Sequence, residues 1–171
     1  KITLSSGKES DFYLDSRNVT LYPEGSYLVG EILFAMIKEP SSPEILGVGG
    51  MTLGADPIVQ SVVLTSFLKG YPLFGFIIRK EKKSHGRSLW IEGEENLPSR
   101  AKVAILEDVV TTGATTIKAI ERANDAGLEV VKVFCLVDRE EGGKEEINRI
   151  GYELDSVIRR SQLLNDLDER T

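Results

Sequence analysis

Val103-Ala104-Ile105-Leu106-Glu107-Asp108-Val109-Val110-Thr111-Thr112-Gly113-Ala114-Thr115-Thr116 is the stretch from which the rest of this chain is read. Its first four residues are apolar and read as a buried strand. Glu107 and Asp108, adjacent carboxylates, stand where that strand is expected to end, and a Thr/Gly-rich loop follows. Ile117, Ala119, Ile120, Ala123 and Ala126 then recur at helical spacing, which predicts a helix over 115–126, stopped by Gly127. A strand, an acidic pair, a loop of small residues and a helix start mark the place where open α/β sheets bind ligands.

The residue types say what kind of ligand. Backbone N–H groups and hydroxyls of a small-residue loop, backed by a helix N-terminus, make an anion cradle suited to a phosphate. Ionised carboxylates only accept hydrogen bonds, and the neighbouring hydroxyls of a diol can donate them. A phosphate and a diol on one molecule point to a ribose phosphate. The plainer reading is a strand-to-helix turn in which Asp108 or Thr115 caps the helix, but a cap accounts for one residue and not for the ordered set. The segment carries neither a P-loop nor a dinucleotide-binding glycine pattern.

The flanking sequence repeats the alternation of strand and helix. Pro23 opens a helix whose apolar face is Val29, Ile32, Leu33, Met36 and Ile37, ended by the Pro40–Pro43 break. Ile45–Val48 reads as a short strand and Gly49–Gly54 as a loop. A second helix presents Ile58, Val59, Val62, Val63 and Phe67 and closes at Gly70, and Phe74–Ile78 is a strand. With strands at 102–107 and 129–137, the order is β/α alternating, which implies a mostly parallel sheet with helices on both faces. Tyr152–Ile158 and the Leu163, Leu164, Leu167 cluster add a final strand and helix.

At 171 residues the chain is expected to form one domain, 1–171, large enough to bury a core. A net charge of −6 argues against a nucleic-acid-binding module, and no apolar run approaches membrane-spanning length. Cys135, the only cysteine, lies in the apolar run Val133–Val137 and reads as a buried strand residue rather than a reactive thiol. With no export signal and no internal disulfide, the expected compartment is cytoplasmic. The chain opens on Lys1 rather than Met, so the natural protein is expected to extend upstream.

Four apolar residues, two acidic, two apolar, then Thr-Thr-Gly-x-Thr: this order resembles the 5-phosphoribosyl 1-pyrophosphate (PRPP) motif of the type I phosphoribosyltransferase family, and every position is matched by Val103–Thr115. The resemblance implies that Glu107 and Asp108 hold the ribose hydroxyls. It implies that Val109, Val110, Thr111, Thr112, Gly113, Ala114 and Thr115 form the PRPP loop, with Thr111–Thr115 around the 5′-phosphate.

Three further segments narrow the substrate. Arg79-Lys80-Glu81-Lys82-Lys83-Ser84-His85-Gly86 carries four cations and the only histidine. Standing alone it would be a solvated charged loop. It follows a strand, however, and looks like the catalytic loop of orotate phosphoribosyltransferases, whose defining positions are Arg79, Lys80, Lys83, His85 and Gly86. Cations closing over a departing pyrophosphate would stabilise its charge and keep water from an activated ribose. Leu4–Arg17 resembles the orotate-binding stretch in which backbone groups at Tyr13 and Leu14 hold the ring, although a lysine seen in some relatives is here Ser5. Taken by itself, it could be a Ser/Gly turn leading into an edge strand. Asp138-Arg139-Glu140-Glu141-Gly142-Gly143 resembles the segment whose arginine binds the orotate carboxylate. Arg139 offers the planar fork such a contact needs, the alternative being a salt bridge to Glu140 or Glu141.

Thr52, Leu53 and Gly54 match the family's pyrophosphate loop, with Leu53 where some relatives have a lysine. Thr111 is assigned to orotate as well. The resemblance covers Ile2 to about Leu164 and lacks only the helix that normally precedes it. It implies a central, mostly parallel sheet flanked by helices, with a small N-terminal hood. It implies transfer of the phosphoribosyl group from PRPP to orotate in pyrimidine synthesis, with Mg²⁺ held mainly by PRPP rather than by a protein metal site. The same likeness implies a homodimer whose lids reach the partner's site. A transferase for another base would leave Arg139 without a substrate carboxylate. A PRPP-sensing regulator would call for a basic surface or a helix-turn-helix, and neither is visible.

Overall fold

A computed structural model describes residues 2–3, 9–10, 14–82 and 90–168. Two short strands, β1 (Ile2–Thr3) and β2 (Glu9–Ser10), pair antiparallel. A single helical turn, α1 (Arg17–Thr20), leads into α2 (Pro23–Ile37). Then follow β3 (Gly47–Met51), α3 (Asp56–Leu68), β4 (Phe74–Ile78), β5 (Ile91–Glu92), β6 (Lys102–Val110), α4 (Ala114–Asp125), β7 (Glu129–Asp138), α5 (Gly143–Arg149), β8 (Leu154–Arg159) and α6 (Arg160–Asp168). The sheet order is β5-β4-β3-β6-β7-β8, parallel throughout except for β5, which pairs antiparallel with β4.

Period-two alternation along the central strands divides the interior into two cores. Val103 and Ile105 of β6, with Val133 and Cys135 of β7, pack against Ala119, Ile120 and Ala123 of α4 and Ile147 of α5. Ala104 and Leu106, with Phe134 and Leu136, face the other way onto Val29, Leu33 and Ile37 of α2 and Ile58, Val59 and Val62 of α3. Both faces of the strands are therefore covered, which is why they read as unbroken apolar runs. Cys135 is fully buried and burial pushes its thiol pKa up, as befits a core residue.

The structure moves several expected boundaries. β6 does not stop at the acidic pair: its pairing with β7 continues to Val110↔Asp138, so Glu107 and Asp108 are strand residues. β3 spans Gly47–Met51 rather than 45–48, because Gly49, between Phe76 of β4 and Ile105 of β6, and Gly50, beside Ile77 of β4, are drawn into the sheet. Their lack of a side chain is what permits this. A Cβ on Gly50 would lie 2.1 Å from the Leu106 carbonyl oxygen. Ile32 and Phe67, placed on buried helix faces by spacing alone, are 43% and 69% exposed. The α2–α3 layer presents a second apolar surface away from the sheet, which periodicity does not distinguish from a core stripe. Most of the segment assigned to a hood lies outside the described residues. No described helix is long and apolar enough to cross a membrane.

Candidate functional site

The acidic pair rides the C-terminal end of β6, the central strand flanked by β3 and β7. Extended backbone sends successive side chains to opposite faces, so the two carboxylates meet different surroundings. Glu107 is only 5% exposed. One of its oxygens accepts from the Asp108 N–H at 3.3 Å and the other from the Thr116 hydroxyl at 3.4 Å. Burial, with the Asp108 carboxylate beside it, pushes the Glu107 pKa up to about 8. In the free protein its surroundings therefore favour the protonated form.

Asp108 is held from two sides. The Ser16 hydroxyl donates to Oδ2 at 2.8 Å, and the Val109 N–H donates to Oδ1 at 2.8 Å. Ser16 lies in the Leu4–Arg17 stretch, where nothing local links it to a carboxylate 92 positions away. Gly54 comes up against the same group: a Cβ there would sit 2.8–2.9 Å from the carboxyl atoms of Asp108.

A cavity of about 220 Å³ lies against these groups, lined by Met51, Thr52, Gly54, Lys80, Glu107, Asp108, Val109 and Thr115. It thus unites the acidic pair with the 52–54 turn after β3 and with Lys80, just past the end of β4. The Thr52–Leu53 peptide is cis, the Thr52 hydroxyl donates to Asp56 at 2.7 Å, and Leu53 is 70% exposed. A second hollow of about 80 Å³ is enclosed by residues 109–116. Gly113 stands before α4 with φ of 79°, and among the described residues no side chain caps that helix. The N–H groups of the first turn are therefore left to the loop, and the reading of Asp108 or Thr115 as a simple cap fails. Gly143, the first residue of α5, allows the loop its position. A Cβ there would meet Val110 Cγ1 at 2.5 Å, the Thr111 carbonyl at 2.7 Å and the Gly113 nitrogen at 2.9 Å.

Arg139 follows β7 directly and its N–H donates to the Val110 carbonyl at 2.9 Å, beside the loop. The side chain is 6% exposed and bonds Glu141 at 2.7 Å, so the structure shows the ion pair that was its alternative reading. Arg79 reaches Glu92 at 3.0 Å. Leu14 is half-buried and packs on the α2–α3 core. Tyr13, Lys83, His85 and Gly86 lie outside the described residues. Among the described residues no group of three or more His, Cys, Asp or Glu could hold a metal ion.

The fold is shared with known proteins. The family model for the phosphoribosyl transferase domain matches residues 56–161. The orotate phosphoribosyltransferase of Aquifex aeolicus is 46% identical over 94% of this chain and 85% of its own length. That of Sorangium cellulosum is 42% identical over 97% and 85%. Among solved structures, orotate phosphoribosyltransferase of Mycobacterium tuberculosis in complex with PRPP superposes with a TM-score of 0.77 at 34% identity, covering 95% of this chain and 88% of that one.

Proposed function

Because the chain belongs to the orotate phosphoribosyltransferase family, we propose a division of labour for its reaction, the transfer of the 5-phosphoribosyl group from PRPP to orotate with release of pyrophosphate. One observation carries it. Three segments remote in sequence, the 52–54 turn, Lys80 and the acidic pair, line a single cavity that adjoins the uncapped start of α4.

The ribose hydroxyls bind at Glu107 and Asp108, and the 5′-phosphate at the backbone of Thr111–Thr115. Those contacts place C1 of the ribose in the cavity, between the pyrophosphate turn of Thr52, Leu53 and Gly54 and the incoming base. The ring nitrogen of orotate is the nucleophile: it bonds to C1 as the C1–pyrophosphate bond breaks, the electron pair leaves with the pyrophosphate, and the proton of the ring N–H passes to the pyrophosphate or to water. No side chain needs to become covalently attached. The protein orients the reactants and stabilises charge. Lys80, which faces the cavity, stabilises the departing group together with Arg79, Lys83 and His85.

Arg139 holds the orotate carboxylate, exchanging its Glu141 partner for that of the substrate. Such an exchange retains a charge-assisted bond in both states, so the arginine is never left buried and alone. Backbone groups at Tyr13 and Leu14 hold the ring, and Thr111 closes the orotate side. Mg²⁺ on PRPP would neutralise the diphosphate as it leaves. The ion would be held mainly by PRPP itself, and the cavity lining suits it, because Thr52, Asp108 and Thr115 offer hard oxygen atoms of the kind this ion accepts.

The reading includes a homodimer. Tyr27, Leu28 and Ile32 of α2, with Leu64, Phe67 and Leu68 of α3, are 43–73% exposed, more apolar surface than a pair of neighbouring helices normally leaves to water. The reaction is placed in the cytoplasm. Loss of orotate absorbance on mixing with PRPP and Mg²⁺, with uracil and adenine as control bases, tests the assignment. Turnover of uracil or adenine in place of orotate would overturn it.

A further inference from the structure

We propose that Arg122 is a positioning residue for the transfer step, fixing the backbone at Arg79 and Lys80 so that Lys80 faces the reacting centre. The proposal rests on the role given to Lys80 above. An arginine in the last turn of a helix is usually a solvated side chain that complements the helix dipole. Arg122, in the last turn of α4, does something else. Its Nη1 donates to the Arg79 carbonyl at 2.6 Å and lies 3.5 Å from the Met51 sulfur, while Nη2 reaches the Lys80 carbonyl at 3.5 Å. The guanidinium plane lies over the Trp90 ring, 3.9 Å from its centroid.

These partners share a location. Arg79 donates its N–H to the Trp90 carbonyl at 2.8 Å, which extends the β4–β5 ladder one residue beyond Ile78↔Ile91. Arg79 and Trp90 are thus the two sides of the base from which the 80–89 segment departs. Arg122 closes that base from below: it caps the carbonyls on the outgoing side and stacks on the ring of the returning side. Met51, its fourth contact, lines the same cavity as Lys80 and precedes the pyrophosphate turn. Only a planar, multi-donor cation satisfies carbonyls and an aromatic face together; a lysine offers one compact charge. The helix bearing Arg122 also begins at the phosphate loop, so one rigid element sets both ends of the site.

The test is a double-mutant cycle in single-turnover phosphoribosyl transfer, using Arg122→Met, Lys80→Ala and the two combined. Methionine keeps the apolar stem over Trp90 and removes the donors. Arg122→Met should slow transfer about tenfold while PRPP affinity changes less than about twofold, because the phosphate loop and acidic pair are untouched. The combined variant should be no slower than Lys80→Ala, since the arginine acts through that lysine. Arg122→Lys should recover less than half of the loss. Trp90, the only tryptophan, supplies a spectroscopic check: its emission should shift in Arg122→Met and in no Lys80 variant.

Should Arg122→Met lose more than a few degrees in Tm, the cycle is run on Arg122→Lys instead. A wild-type transfer rate, additive effects in the cycle, or equal losses in transfer and PRPP binding would each overturn the proposal. Lys80→Ala without effect would overturn the lysine's role and the proposal with it. An effect of Lys80→Ala beside a silent Arg122 variant overturns the positioning role alone.

Discussion

Glu107→Gln should make the free protein more stable in alkali, although it removes a group from the substrate site. In an unfolded chain this carboxyl titrates near its ordinary 4.5, whereas burial raises it to about 8 in the folded state. Between those values the folded protein binds more protons than the unfolded one, so stability falls as pH rises. The stabilisation linked to the retained proton is complete below 4.5 and disappears as pH passes through 8. Integrated from about pH 5 to about pH 9, the loss is about 4 kcal/mol, a large share of the stability of a single domain. Glutamine keeps the shape and stays neutral, so that this loss is absent from the variant. Urea unfolding of both proteins at intervals across that range isolates the effect, because titrating groups remote from residue 107 cancel in the difference. A difference that stays within about 1 kcal/mol from end to end would refute the reasoning. If PRPP requires the ionised carboxylate, its binding at neutral pH should also release most of one proton, readable by calorimetry in buffers of different ionisation enthalpy.

Arg139→Ala should cost about 1.5–3 kcal/mol in kcat/KM for orotate and far less in PRPP affinity, since a charge-assisted fork contact is lost on one substrate only; equal losses for both would remove it from that role. Gly54→Ala should weaken PRPP binding about tenfold with a normal fold, because the new methyl must displace an Asp108 carboxylate that Ser16 and the Val109 N–H hold in place; calorimetry with PRPP and Mg²⁺ checks it, and unchanged affinity would free Asp108 from the diol. Subunits carrying Lys83→Ala, mixed with subunits carrying Glu107→Gln and Asp108→Asn, should regain activity that neither homodimer has, up to about half of the mixed dimer's sites. No recovery in demonstrated heterodimers would confine each lid to its own subunit.

Local pattern was enough to determine which elements form. An apolar run reads as a buried strand, and residues spaced by a helical turn read as a helix, because each periodicity follows from backbone geometry alone. The order of β6, the threonine loop and α4 was legible for that reason, and so was the likeness that named the chemistry. What each side chain meets was not legible, since it depends on layers brought together from far apart in the chain. The extension of β6 through Glu107 and Asp108 required β7 as a partner up to Asp138. Removal of Glu107 from water required the assembled sheet with α4 laid on it, whose Thr116 bonds the carboxyl, and that burial, with Asp108 alongside, raises its pKa. Ile32 and Phe67 have the spacing of core residues, yet the packing of α2 and α3 turned them outward. Ser16 on Asp108, Gly143 beneath the threonine loop and Arg122 under Arg79 carry no local signature at all. Such contacts arise only when the sheet is assembled, because a hydrogen bond or a close approach is a matter of distance in space and leaves no period in the sequence.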